Sequence, residues 1–107
     1  MLLSFVLILS VGNSGTSQQP NLKLDRANSL YFLDNPTEAQ DMEAINLFEQ
    51  VLSEVPDQSE ALAFVQASER LGNLYLAYGK VNQAKKIYDQ GILIARAFQV
   101  ADTLVYS

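Results

Sequence analysis

The sequence contains no cysteine, no histidine and no tryptophan. Without cysteine there is no disulfide framework, no thiolate nucleophile and no N-terminal cysteine to carry a lipid. Without histidine or cysteine, the imidazole and thiolate ligands of a transition-metal site are missing, as is the base of a Ser-His-Asp triad. Three prolines and five glycines in 107 residues are few, so breaks between elements are sparse and each one is informative. Positive charge is short as well. Seven lysines and arginines stand against twelve aspartates and glutamates, a net charge of −5, the opposite of the basic footprint that nucleic acid requires. What is present is a chain 49% apolar, of a size for one small domain. The inventory favours a protein that is not an enzyme and uses no cofactor or metal, with no nucleic-acid partner.

Residues 1–17 differ from the rest. Leu2–Val11 is apolar except for Ser4 and Ser10. A helix that crosses a bilayer needs roughly 20 apolar residues, so this run is too short to span. It has the length of the hydrophobic core of a secretory signal. Ser10, Gly12 and Ser14 supply small residues for a cleavage site, while no lysine or arginine precedes the run. The expectation is export to the periplasm or exterior, with membrane contact only through this segment if it stays uncleaved. A buried N-terminal helix in a cytoplasmic protein is the alternative. Residues 18–21 lie in the polar stretch Asn13–Asn21 and read as a linker.

From residue 22 onward no sustained alternation marks a strand, and the periodicity is helical. A first run, Leu22–Leu33, places Ala27, Leu30, Tyr31 and Leu33 on one broad face and stops at Asp34-Asn35-Pro36. Asn35 reads as an N-cap, with Pro36 in the first turn and Glu38 completing a capping box. The second helix carries Ala39, Met42, Ile45, Phe48, Val51, Leu52 and Val55, and ends ahead of Pro56. Asp57 and Glu60 form a second box that opens a third helix. Its stripe is Ala61, Phe64, Val65, Ser68, Leu71, Gly72, Tyr75 and Tyr78, with Gly79 as a left-handed stop. A fourth helix from Val81 turns Ala84, Ile87, Tyr88, Gly91, Ile94, Ala95 and Phe98 inward. Short connections make consecutive helices antiparallel neighbours.

The segment Leu71-Gly72-x-x-Tyr75, then Gly79, then Ala84-x-x-x-Tyr88 has a mechanical logic. Gly72 and Ala84 remove bulk where two helices of a hairpin cross, and Tyr75 and Tyr88 fill the volume beside the crossing. Gly91 offers a further small contact for a following hairpin. Upstream, Ala44, Phe48 and Pro56 repeat part of the pattern, with Ala44 and Ala84 40 residues apart. Asp102–Tyr106 echoes Glu60–Phe64 at an offset of 42. The pattern resembles the tetratricopeptide repeat. Ser68 stands where that family most often has tryptophan, Arg96 where it prefers proline, Phe32 in the small glycine slot and Asn35 in the aromatic one. The resemblance implies an all-α fold of antiparallel helical hairpins stacked as a short right-handed solenoid. Its units would be 22–57 and 58–98, with the start of a third at 99–107.

The resemblance also implies a function: a non-enzymatic scaffold that binds a peptide or protein on its concave helix face. In the better-defined unit that face would present Gln66, Glu69, Asn73 and Ala77, with the Asn73 amide able to hold a peptide backbone. Glu69 stands where a basic residue would be needed to clamp a terminal carboxylate. Similar arrays occur in bacterial sensory and regulatory proteins. The alternative reading is therefore an N-terminal sensory segment whose kinase or transcription-regulator output domain lies outside this chain. The paired acids at helix starts read as caps, not as an acid–base dyad. Lys80, Lys85 and Lys86 read as a solvated face. Residues 1–60 carry a balance of −7 and residues 61–107 one of +2. Self-association by end-to-end repeat stacking would use that asymmetry, and ordinary variation of a solvated surface would also produce it.

Overall fold

The computed structural model describes residues 22–100. Helix α1 covers residues 22–31, followed by α2 (Glu38–Leu52), α3 (Ala61–Ala77) and α4 (Val81–Phe98). No strand occurs among the described residues, and this part of the chain is all-helical, as its periodicity indicates. The apolar segment 1–17, the linker 18–21 and residues 101–107 of the third unit lie outside the described residues.

The cap of α2 differs from the sequence reading. Helical backbone starts at Glu38, and Thr37, not Asn35, is the N-cap, in an extended conformation (φ −76°, ψ 165°). Thr37 Oγ1 accepts from the Gln40 amide at 3.1 Å, and Gln40 Oε1 accepts from the Thr37 amide at 2.8 Å. The stretch Asn-Pro-Thr-Glu-Ala-Gln holds two overlapping capping signals. The Thr–Gln pair satisfies two amides reciprocally, which leaves Pro36 outside the helix. At the other end, Ser53 closes α2 by donating its amide and hydroxyl to the last turn. Pro56, buried in the connection, bars continuation.

Asp57 and Glu60 do exchange hydrogen bonds, each carboxylate accepting from the other's amide at 3.0 Å. They close a turn over residues 58–60, and the regular helix starts one residue later, at Ala61. The Ser59 hydroxyl donates to Asp57 at 2.7 Å. With help from the Glu60 and Ser59 amides, and against burial, it holds the Asp57 carboxyl below the usual carboxylate range. Helix α3 ends on Gly79 at φ +76°, with Lys80 N–H to Tyr75 C=O (2.8 Å) and Gly79 N–H to Leu76 C=O (3.0 Å). This double bond pattern requires the left-handed residue. Helix α4 ends the same way on Gln99, at φ +55°.

The helices α3 and α4 are antiparallel and very close. A β-carbon at Gly72 would stand 2.5 Å from Tyr88 Cζ and 2.7 Å from Cδ1, so the Tyr88 ring occupies the space that glycine vacates. One turn further along, a β-carbon at Gly91 would lie 2.8 Å from Ser68 Cβ. Gly91 thus makes a close contact inside its own hairpin, against α3. The same contact explains Ser68: the backbone of α4 runs so near that a large side chain has no room. Ser68 is fully buried and donates its hydroxyl to Phe64 C=O at 2.9 Å.

One core joins all four helices. Leu24, Ala27 and Leu30 of α1 meet Ala44, Ile45, Phe48, Val51 and Leu52 of α2, with Phe64, Ala67, Leu71, Leu74 and Tyr75 of α3 and Ala84 of α4. Phe48 and Leu71 are among its largest fully enclosed side chains. Phe32 is not part of it. The residue is 62% exposed, so it does not act as a packed stand-in for glycine. Polar side chains rim this core. Tyr75 donates to Glu49 and Tyr78 to Asp41, both at 2.5 Å, across the antiparallel α2–α3 contact. Gln90 reaches the Leu52 carbonyl at 3.2 Å, and Gln58 reaches that of Phe98 at 3.0 Å.

Candidate interaction face

Helical periodicity places one side of α3 in solvent. Leu62, Glu69, Asn73, Leu76 and Ala77 are exposed there, with Gln66 half-buried among them. The four residues expected to present a binding surface, Gln66, Glu69, Asn73 and Ala77, therefore share one strip. Leu62 and Leu76 flank it at 46% and 47% exposure, and no motif in the sequence marks them. Their signal was their period: each lies three or four residues from a polar member of the strip.

Both ends of the Asn73 amide already make one hydrogen bond each within the fold. Its Oδ1 accepts from the Tyr88 hydroxyl at 2.5 Å and its Nδ2 donates to the Tyr31 hydroxyl at 3.0 Å. The amide bridges α4 to α1 across the strip. Burial, with the fields of Tyr31 and Glu69, pushes the Tyr88 phenol up, so it remains a neutral donor in this relay.

A second contact lies one turn before the relay. Arg70 Nη1 donates to Asn28 Oδ1 at 3.0 Å, and the guanidinium sits 4.9 Å from the centre of the Phe32 ring. Tyr31 meets Phe32 edge-on, with centroids 5.0 Å apart. The pairs Asn28–Arg70 and Tyr31–Asn73 share a separation of 42 residues, so α1 and α3 run side by side in the same direction. Those pairs depend on how two hairpins dock, which no single helical period reveals.

The remaining polar groups behave as structure. Of the residues read as packing positions, Leu71, Gly72, Tyr75, Ala84, Ala44, Phe48 and Pro56 are buried and Tyr88 is half-buried. Burial first, then the hydrogen bond to Glu49, raises the Tyr75 phenol. The bond to Asp41 is the main cause that pushes Tyr78 up to about 12. Arg26 forms a two-pronged pair with Glu43 at 3.0 and 3.2 Å, the one ion pair among the described residues. Among those residues no three acidic side chains are placed to hold a metal ion. No helix among them is long and apolar enough to cross a membrane.

The geometry is that of two antiparallel hairpins packed in succession, with the first helices of each side by side. A family model described as tetratricopeptide repeat matches residues 43–104. Comparison with curated proteins and with solved structures returns no match. The match takes in most of α2, all of α3 and α4, the small-residue crossing at Gly72 and the α3 strip, more than half of the sequence. The chain belongs to the tetratricopeptide-repeat family.

Proposed function

We propose that the chain is a non-catalytic scaffold that binds an extended peptide, or a segment of a protein, along the outward strip of α3. Members of this family typically mediate protein–protein interaction, and the coarse assignment rests on the family match. One observation carries the finer reading: two exposed leucines, Leu62 and Leu76, stand at either end of a strip whose centre is polar. Such an arrangement gives apolar side chains of a ligand two places to bury surface and gives its backbone polar neighbours between them. Gln66, Glu69 and Ala77 are the contact residues. Asn73 contributes by holding Tyr31 and Tyr88 in place.

Panning a displayed random-peptide library on the full chain tests this. Recovered binders should lose affinity for the Leu62→Asp and Leu76→Asp variants and keep it for Leu93→Asp, an exposed leucine of α4. Equal losses at all three, with melting temperatures unchanged, would refute the assignment of the face. The segment 1–17 adds a proposal of place: cleaved as an export signal, it would deliver this scaffold outside the cytoplasm, and the N-terminal mass of the mature product decides that.

A further inference from the structure

We propose that the apolar run Leu2–Val11, while it remains on the chain, lies along the outward strip of α3 as an intramolecular ligand and competes there with others; this rests on the binding face proposed above and names one occupant of it. Eight of the run's ten residues are apolar. Ten are too few to cross a bilayer, which takes roughly 20 as a helix, so the run gains most by covering apolar surface of its own protein. The point of entry decides which surface. Asn28 pairs with Arg70 and Tyr31 with Asn73, each 42 residues on. On that register Leu22, the first residue of α1, stands level with Phe64 of α3, so the chain enters α1 at the Leu62 end of the strip.

The lengths match. Residues 12–21 reach at most about 33 Å when extended, ample for setting Val11 beside Leu62. Leu62 and Leu76 are fourteen positions apart on α3, about 21 Å along a helix. An extended Leu2–Val11 spans about 33 Å, enough to run antiparallel to α3 and cover both leucines. Leu22, 63% exposed, widens the apolar surface at the entry end. A tether this short raises the local concentration of the run to about the millimolar range. An affinity too weak to hold a separate peptide therefore holds this one. A chain that keeps the run is mostly closed to ligands, and a chain without it is open.

The sequence has no cysteine, so one introduced thiol in the full chain carries one nitroxide, whose effect is read as broadening of amide NMR signals. A label on Ser10→Cys should broaden Leu62 and Gln66, and a label on Ser4→Cys should broaden Asn73 and Leu76. Asn46, exposed on α2, should stay sharp with either label. The pattern should be the same at every protein concentration, and Leu62→Asp combined with Leu76→Asp should abolish it while the helical circular dichroism is kept. Replacing Leu3 and Leu7 by aspartate should tighten the binding of library peptides about tenfold, the factor lost when a face is open one-tenth of the time. Broadening that grows with concentration would assign the run to a second copy. That result, broadening away from the strip, none at all, or unchanged peptide affinity in the Leu3→Asp, Leu7→Asp chain would each overturn the proposal. Library peptides that still depend on Leu62 and Leu76 would in that case leave the binding face standing without this occupant.

Discussion

A methyl group at position 72 has nowhere to go while Tyr88 keeps its place, because a β-carbon there overlaps the ring. Two effects compete in Gly72→Ala. Replacing a mid-helix glycine by alanine favours the helix by about 1 kcal/mol. Overfilling a packed crossing costs about 1–3 kcal/mol. Clash should win, so Gly72→Ala lowers stability, and Gly72→Leu lowers it further. In a Tyr88→Ala background the sign should reverse, with Gly72→Ala stabilising. A denaturant-unfolding double-mutant cycle measures this coupling, and additive effects would contradict the crossing as described. Gly72, Ala84 and Tyr88 were legible in the sequence because small and large residues alternate there at fixed spacing. Gly91 was legible as small but not as to its neighbour. A helix presents several faces, and spacing alone does not say which adjoining helix meets which. The same ignorance hid the two tyrosines that hydrogen-bond Asn73.

Caps show how local rules compete at the level of the element. Asn35 and Thr37 both open plausible boxes, and the structure selects Thr37. Thr37→Ala should therefore cost about 1 kcal/mol, whereas Asn35→Ala should change stability by less than about 0.5 kcal/mol. Thermal melts of the two variants separate the readings. Element existence and order were readable from periodicity and from Pro56 and Gly79; the start of α2 was not, because two signals overlapped within three residues. Between elements, the α2–α3 contact carries a titratable bond. The Tyr78 phenol is raised in the folded chain from its ordinary 10 to about 12 by Asp41. Its contribution is complete below pH 10 and is lost as pH rises through about 12. The melting-temperature gap between the parent and Tyr78→Phe should accordingly be constant up to about pH 10 and close above it. A gap that does not change with alkaline pH would show that the Asp41 bond contributes nothing to folding.

For the molecule as a whole, charge is divided between the hairpins. Helix α2 carries four acids and no base, while α4 carries three bases and one acid. If copies associate end to end through this division, sedimentation velocity should show a larger species at low salt that falls apart as the Debye length drops below about 10 Å near 0.1 M salt. A monomer at every ionic strength would rule such stacking out. The candidate face was half legible for a related reason: exposure along α3 follows from its own period, whereas Arg70, Asn28, Tyr31 and Phe32 meet only once the hairpins are docked. That docking has a further consequence. Tyr75 and Tyr78 find Glu49 and Asp41 in a single alignment of α3 against α2. Sliding one hairpin by a turn would still bury oily surface but would leave two phenols and two carboxylates mismatched. The pairs thus act as a key cut for one lock position, and the chain tells correct from shifted assembly by the polar teeth at the rim, not by the grease between them.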